Sequence, residues 1–315
     1  MNVKKLRGSL LLLLTAIIWG SSFVAQDIGV EYVESFTYNG IRMLIGAVVL
    51  VPVIALFCKK TLPDGRKAPD MMPSKREWLA GAVCGIILFV SSSLQQFGIS
   101  FYSAEEAAAG KSGFITALYV VMVPVFGLFM HKKVPISVWI GIIIAVIGMY
   151  MLCMNSGLSL SLADLLVLLC AVMFSFHIIA IDHFSPTVSG IKISAIQFLV
   201  CGILGIICMF IFESPSVDSI LKAAGPILYS GVLSSGVAYT LQIIAQKDTD
   251  PTVASIIMSL ESVFAAVTGA LFGERLSSRE ILGCVLVFAA VLLAQLDFSE
   301  IKGKIKAGSK QFGKN

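Results

Sequence analysis

The sequence predicts an all-α membrane protein of ten transmembrane helices, and three observations predict it. Of its 315 residues 57% are hydrophobic and 13% charged, too few polar groups to cover a water-soluble globule of this size. Apolar runs of about 20 residues, the thickness of a bilayer core, recur along nearly the whole chain. The two halves of the chain also repeat one another, with five such runs in each.

The first run shows the pattern. From Gly8 to Gln26 there is no charge; Lys4, Lys5 and Arg7 precede it, and Asp27, Glu31 and Glu34 follow it. A secretory signal would have a shorter apolar core and a small-x-small cleavage site. Phe23-Val24-Ala25 is a poor one, so this run is a membrane helix. Charged and Pro- or Gly-rich breaks then place helices near 7–29, 35–58, 77–100, 106–130, 134–154, 161–182, 188–211, 220–245, 251–273 and 279–297. Cys58, Cys84, Cys153, Cys170, Cys201, Cys208 and Cys284 all fall within or at the ends of these runs, with no C-x-x-C pair, and read as small packing residues. The formal charge of +4 is sorted by loop and forms no patch with interleaved aromatics, which argues against a nucleic-acid partner.

Loop charge sets the orientation. With the amino terminus cytoplasmic, inner loops hold Lys59, Lys60, Arg66, Lys67, Lys75, Arg76, Lys132 and Lys133, and the tail adds Lys302, Lys304, Lys306, Lys310 and Lys314. Outer loops hold only Lys222, Arg275 and Arg279, beside Glu31, Glu34, Glu105, Glu106, Glu213 and Asp218. By the positive-inside rule both termini are cytoplasmic, in a cell (inner) membrane.

Internal similarity divides the chain. Ala16–Ala25 aligns with Ala171–Ala180, setting Trp19 against Phe174. Gly127–Gly141, read through Lys132-Lys133-Val134, aligns with Gly269–Gly283, read through Glu274-Arg275-Leu276. The two offsets differ by 13 residues, which the stretch Thr61–Ser74 absorbs. The expected units are 1–155, 156–298 and a basic tail, 299–315. Five helices per unit is an odd number, so the second copy enters the membrane upside down. Inverted repeats of this kind build the two gates of an alternating-access carrier.

Several stretches carry a family resemblance: Ala16-Ile17-Ile18-Trp19-Gly20-Ser21-Ser22-Phe23, the segment from Gly110-Lys111-Ser112-Gly113 to Val123-Pro124, Tyr239 through Gln242 to Gln246, and Gly273-Glu274-Arg275-Leu276. On these the chain resembles EamA-domain permeases of the drug/metabolite transporter superfamily, over both halves. The resemblance implies ten helices in two inverted five-helix repeats around a central cavity, and export of amino acids, their derivatives or other small metabolites. Two departures stand out. The ninth helix of such proteins commonly carries Glu-Pro, whereas this chain has Glu261-Ser262, which keeps the acid and is expected to lose the kink. The fourth helix often ends in a Gly-Glu-Arg-like turn, and here it ends in His131-Lys132-Lys133.

Ionisable residues at membrane depth are the sharpest functional signal, because each costs at least about 2.5–3.5 kcal/mol to insert. Glu261, near the middle of its run, either takes a cationic group or coupling proton, or joins helices as a hydrogen-bonded acid. Arg42, about two turns into the second helix, is read as an anchor snorkelling to the outer surface, with a substrate-carboxylate site as the alternative. Lys111 is expected in a surface ion pair with Glu105 or Glu106. His177 is either a packing residue or a proton or substrate site. The uncharged polar set Ser21-Ser22, Ser91-Ser92-Ser93, Gln95-Gln96, Ser234-Ser235, Tyr239 and Gln242 suits either helix-to-helix hydrogen bonds or a wet cavity. Trp19, Phe23, Phe114, Tyr119 and Phe174 would suit a cavity wall and equally suit core packing. Gly81/Gly85 and Gly269/Gly273 have the spacing for close helix approach.

No two histidines share a helical face at ligand spacing, so no metal is expected, and no cofactor is implied. Without a Walker-type loop nothing would hydrolyse ATP. The leading expectation is a secondary carrier for a small-molecule substrate within the lipid bilayer, oligomeric state open. Efflux of cationic drugs or quaternary amines is the second reading. A non-transport membrane enzyme or a structural membrane protein is the third, and the enzyme version lacks His-Glu-x-x-His or any nucleophile–base pairing.

Overall fold

The computed structural model describes residues 3–59, 72–102, 108–132, 134–153, 161–271 and 276–295. Among them the chain is helical without strands: α1 (Val3–Val30), α2 (Ser35–Lys59), α3 (Lys75–Phe101), α4 (Ala108–Ala117), α5 (Tyr119–Phe129), α6 (Ile136–Cys153), α7 (Leu162–Phe184), α8 (Gly190–Phe212), α9 (Val217–Lys222), α10 (Ala224–Tyr229), a π-helical segment (Ser230–Tyr239), α11 (Thr240–Gln246), α12 (Pro251–Met258), α13 (Glu261–Leu271) and α14 (Ser278–Gln295). Eight stretches are long and apolar enough to cross a membrane, and α6 is a shorter apolar helix that packs along α14. Leu10, Val48, Ile86, Ile143, Phe210 and Val285 stand exposed on the outside, where a water-soluble protein would place polar groups and a lipid-facing one does not. The chain is a multi-pass membrane protein.

Small residues set the closest contacts. Along α2 and α8 a Cβ added to Gly205 would lie 2.7 Å from the Gly40 Cα, and one on Gly202 would lie 2.7 Å from the Leu44 side chain. Rising numbers on α2 meet falling numbers on α8, so the two helices run antiparallel. An acid sits at each end of α8, one tying it to α2 and the other to α3. Glu213, just past α8, accepts from the Phe36 N–H at 2.6 Å and from the Thr37 N–H and hydroxyl at 2.7 Å each. The two N–H groups are donors that the first turn of α2 leaves without helical partners. At the other end Glu77, in the capping box that starts α3, accepts from the Ser189 N–H and the Lys192 ammonium, both at 3.4 Å. The Gly81/Gly85 spacing is also a close approach, since Cβ atoms there would sit 2.5 Å from Ile196 Cβ and 2.8 Å from the Gln197 carbonyl of α8. Gly273 lies outside the described residues.

Three expected helices are composite. The fourth breaks at Leu118 between α4 and α5, and the ninth breaks at Ser259-Leu260 between α12 and α13. The offset that aligns Gly127 with Gly269 also aligns Leu118 with Leu260, so the two breaks are equivalent. The ninth helix has therefore not lost its kink with its proline. Ser255, Ser259 and Ser262 each donate a hydroxyl to the carbonyl three residues earlier, at 2.7–2.8 Å. Such back-bonding competes with the i−4 ladder and bends the helix. The eighth helix, expected as one run, is α10, the π segment and α11 in series.

After α5 the chain turns at His131 with φ 59°, while the Lys132 N–H returns to the Gly127 carbonyl at 2.9 Å. A left-handed residue closing a helix is ordinarily glycine, and the aligned residue in the second half is Gly273. His131→Gly is expected to stabilise the protein by about 1 kcal/mol, the steric cost of the left-handed conformation less the extra chain entropy of glycine. Thermal denaturation in detergent reads it, and a lower melting temperature would show that the imidazole contributes more than the turn costs.

Candidate functional site

A narrow cavity of about 30 Å³ lies between the two halves. From the first half come Trp19, Ser22, Phe23 and Gln26 on α1, Arg42 on α2, Gln95 on α3, Thr116 on α4 and Tyr119 at the head of α5. From the second come Phe174 and Ile178 on α7, Ser234 and Tyr239 in the π segment, Gln242 on α11 and Glu261 at the head of α13. Repeat-equivalent positions face it together: Trp19 with Phe174, Phe23 with Ile178, and Tyr119 with Glu261.

Local structure explains the wall. Trp19, Ser22, Phe23 and Gln26 recur at helical spacing and form one stripe on α1. The Trp19 indole packs on Tyr239, ring centroids 4.6 Å apart, and its N–H points at the Ser234 carbonyl at 3.4 Å. The π geometry brings Ser234 and Tyr239 to this face, and π turns inside helices are frequent at functional sites. The two helix breaks place Tyr119 and Glu261 as the first residues of new helices, where free N–H groups and the helix dipole favour negative charge.

Charge on the wall is sparse. Arg42 is 2% exposed, so it does not snorkel to a surface. Its Nε donates to Asn39 Oδ1 at 2.8 Å, Asn39 in turn donates to the Ser92 carbonyl at 2.9 Å, and the guanidinium carbon sits 5.7 Å from the Tyr38 ring centroid. Glu261 is 3% exposed, with the Tyr119 hydroxyl beside its carboxyl group. Oε1 of both Gln26 and Gln242 is buried without a hydrogen-bond partner among the described residues. Among the described residues no ion pair joins Arg42 or Glu261 to any group, including each other.

Of the residues singled out from sequence, Glu261, Arg42, Trp19, Ser22, Gln95, Tyr119, Tyr239 and Gln242 converge here. Lys111, His177 and Gln96 do not. Lys111 makes a largely buried ion pair with Asp164 at 3.0 Å and stands 5.0 Å over the Tyr102 ring; its expected partners Glu105 and Glu106 lie outside the described residues. His177 hydrogen-bonds Gln197 at 3.0 Å behind the wall. Gln96 donates to the Gln26 carbonyl at 3.4 Å. Phe114 is core. Gln26 and the orienting Asn39 were not anticipated; the signal for Gln26 was its place one turn beyond Ser22.

Comparison with known proteins agrees with this architecture. The model of the EamA-like transporter family matches residues 6–154 and again 161–296. An uncharacterized transporter of Archaeoglobus fulgidus is 28% identical over 304 residues, covering 94% of this chain and 88% of that protein. The uncharacterized inner membrane transporter YedA of Escherichia coli strain K12 is 29% identical, covering 88% and 87%. A solved crystal structure at 16% identity superposes with a TM-score of 0.70 over 91% of this chain and 96% of that one, the same fold. With its domain matched in both halves of one helical chain, the protein belongs to the EamA-like transporter family.

Proposed function

We propose that the protein is a secondary-active carrier that exports amino acids or similar small metabolites by alternating access, coupled to protons through Glu261. In this reading ten helices form two inverted repeats, with α6 and α14 completing each set of five and both termini cytoplasmic. The observation that carries it is a single cavity built from equivalent positions of both halves. Rocking one half against the other then exposes the same side chains to each side in turn. The antiparallel packing of α2 on α8, which the repeat alignment makes equivalent helices, supports the inversion. A rigid membrane enzyme has no need of such symmetry.

Counterflow in proteoliposomes tests the reading, with a panel of amino acids, polyamines, quaternary amines and nucleosides preloaded inside. One class is expected to accelerate entry of its own labelled form with saturable kinetics, at least about tenfold above protein-free vesicles. No acceleration by any class at millimolar concentration removes the transport reading.

A further inference from the structure

We propose that the seam between the amino-terminal end of α1 and the end of α11 is a site for the phosphate headgroup of an anionic phospholipid, separate from the central cavity and independent of what that cavity carries. A second cavity, of about 320 Å³, opens there. Its volume is that of a small-ligand pocket. Lys4 and Arg7 of α1 line it, together with Lys247 and Asp248 just past α11.

The charges around it do not cancel. Three cations face one carboxylate, and they come from both halves of the chain. Among the described residues neither Arg7 nor Lys247 forms an ion pair, although Asp248 lines the same cavity. Orientation in the membrane requires basic residues on one side, and scattered ones serve that purpose. Here they converge on one hollow from helices far apart in the sequence. An anion satisfies that arrangement, which topology alone does not call for.

The hollow has a built floor. A Cβ on Gly8 would collide with the Thr249 hydroxyl and lie 3.5 Å from the Ala245 carbonyl oxygen, so α1 and the end of α11 meet closely at that glycine, itself a lining residue. Beside it the Thr249 Oγ1 is buried with no hydrogen-bond partner among the described residues, a spare donor for an oxyanion.

The apolar part of the site identifies the source of the phosphate. Leu11 on α1 and Ile244 on α11 line the cavity one turn deeper than the charges, so the wall passes from ionic to apolar toward the membrane core. On the adjoining face of α1, Leu6, Leu10, Leu14 and Ile17 recur at helical spacing and are exposed. Arg7 stands at the edge of this lipid-facing stripe, so an acyl chain lying along the stripe brings its headgroup to Arg7 and Lys247. A free phosphate would satisfy the cations and leave the apolar wall bare. Phosphatidylcholine carries its own cation beside the phosphate, which lysine and arginine repel. A phospholipid of net negative charge meets both requirements, and basic pockets between membrane helices take such headgroups. Because α1 and α11 belong to different halves, the bound lipid straddles the two.

Native mass spectrometry of the purified full-length protein tests this with dioleoyl phosphatidylglycerol, dioleoyl phosphatidylcholine and glycerophosphoglycerol, the headgroup without its chains. Phosphatidylglycerol is expected to bind at least about tenfold tighter than either of the others. Arg7→Gln combined with Lys247→Gln is expected to weaken it about 25-fold, each cation contributing about fivefold. Lys75→Gln combined with Arg76→Gln removes the same charge from the first turn of α3 and is expected to change the affinity by less than about twofold. Equal affinity for phosphatidylcholine overturns the inference. So does an equal loss in the two double variants, which is the mark of diffuse surface attraction. Glycerophosphoglycerol binding as tightly as the lipid overturns the lipid as occupant in favour of a soluble phosphate. All four replaced side chains are exposed, and the lipid series on the unmodified protein decides the matter even where a variant does not fold.

Discussion

A Glu261→Gln protein is expected to bind its solute with one affinity from about pH 5 to about pH 8, where the unmodified protein loses affinity as the medium is acidified. Among the described residues Glu261 is the one carboxyl lining the cavity, and Arg42 keeps its charge throughout this range. A proton and the ammonium of a solute compete for the same carboxylate, so falling pH protonates the acid and removes the attraction. Glutamine keeps the shape and cannot titrate. At neutral pH the variant should bind about 10–100-fold more weakly, the usual worth of a hydrogen bond to a charged group. Calorimetric titration across the pH range reads both effects, and a variant that retains the unmodified pH profile would remove Glu261 from coupling.

Gly20→Val should leave little folded protein. A Cβ at position 20 would lie 2.5 Å from the Phe264 Cβ, 2.6 Å from the Glu261 carbonyl oxygen and 2.8 Å from the Ala265 amide nitrogen. Two of these three atoms are backbone, so no rotamer change relieves the clash, and α13 would have to move away from α1. Overpacking typically costs about 1–3 kcal/mol, and a displaced helix that carries Glu261 should exceed the upper figure. Gly110→Ala is the contrast, because nothing lies within 4 Å of a Cβ there and alanine is the better helix former by about 1 kcal/mol. Size-exclusion profiles and melting temperatures of the two variants should diverge in opposite directions from the unmodified protein. A monodisperse Gly20→Val protein of unchanged stability would mean that α1 and α13 are not held at this distance.

Much of this architecture was written in the hydropathy of the chain. Apolar runs and their charged breaks located nearly every helix, because lipid punishes a misplaced charge so heavily that the pattern stays sharp. The cavity residues were legible where chemistry was unusual for the setting, as with Glu261, Arg42 and the Trp19–Ser22 stripe. Depth was not legible for Arg42: its distance from the end of α2 permits snorkelling, and only the packing of Asn39, Tyr38 and Ser92 around it turns it inward. One pairing of Lys111 was hidden for a related reason. Among the described residues it pairs with Asp164, 53 positions away on another helix, and local sequence cannot reveal such a pairing. The helix breaks were hidden because no proline marks either of them, at Leu118 or at Ser259-Leu260.

The serine-made break in the ninth helix differs in kind from a proline kink. A proline ring removes an amide hydrogen permanently, so the bend it causes is part of the covalent structure. Here every amide between Thr252 and Glu261 keeps its hydrogen, and the bend is held by three hydroxyls turned back on the carbonyls of Thr252, Ile256 and Ser259. All three serines are fully buried, so the bend is held by packing and by these hydrogen bonds and not by a covalent restraint. The joint that aims Glu261 is thus non-covalent, and replacing any one of the three serines removes part of it without touching the main chain.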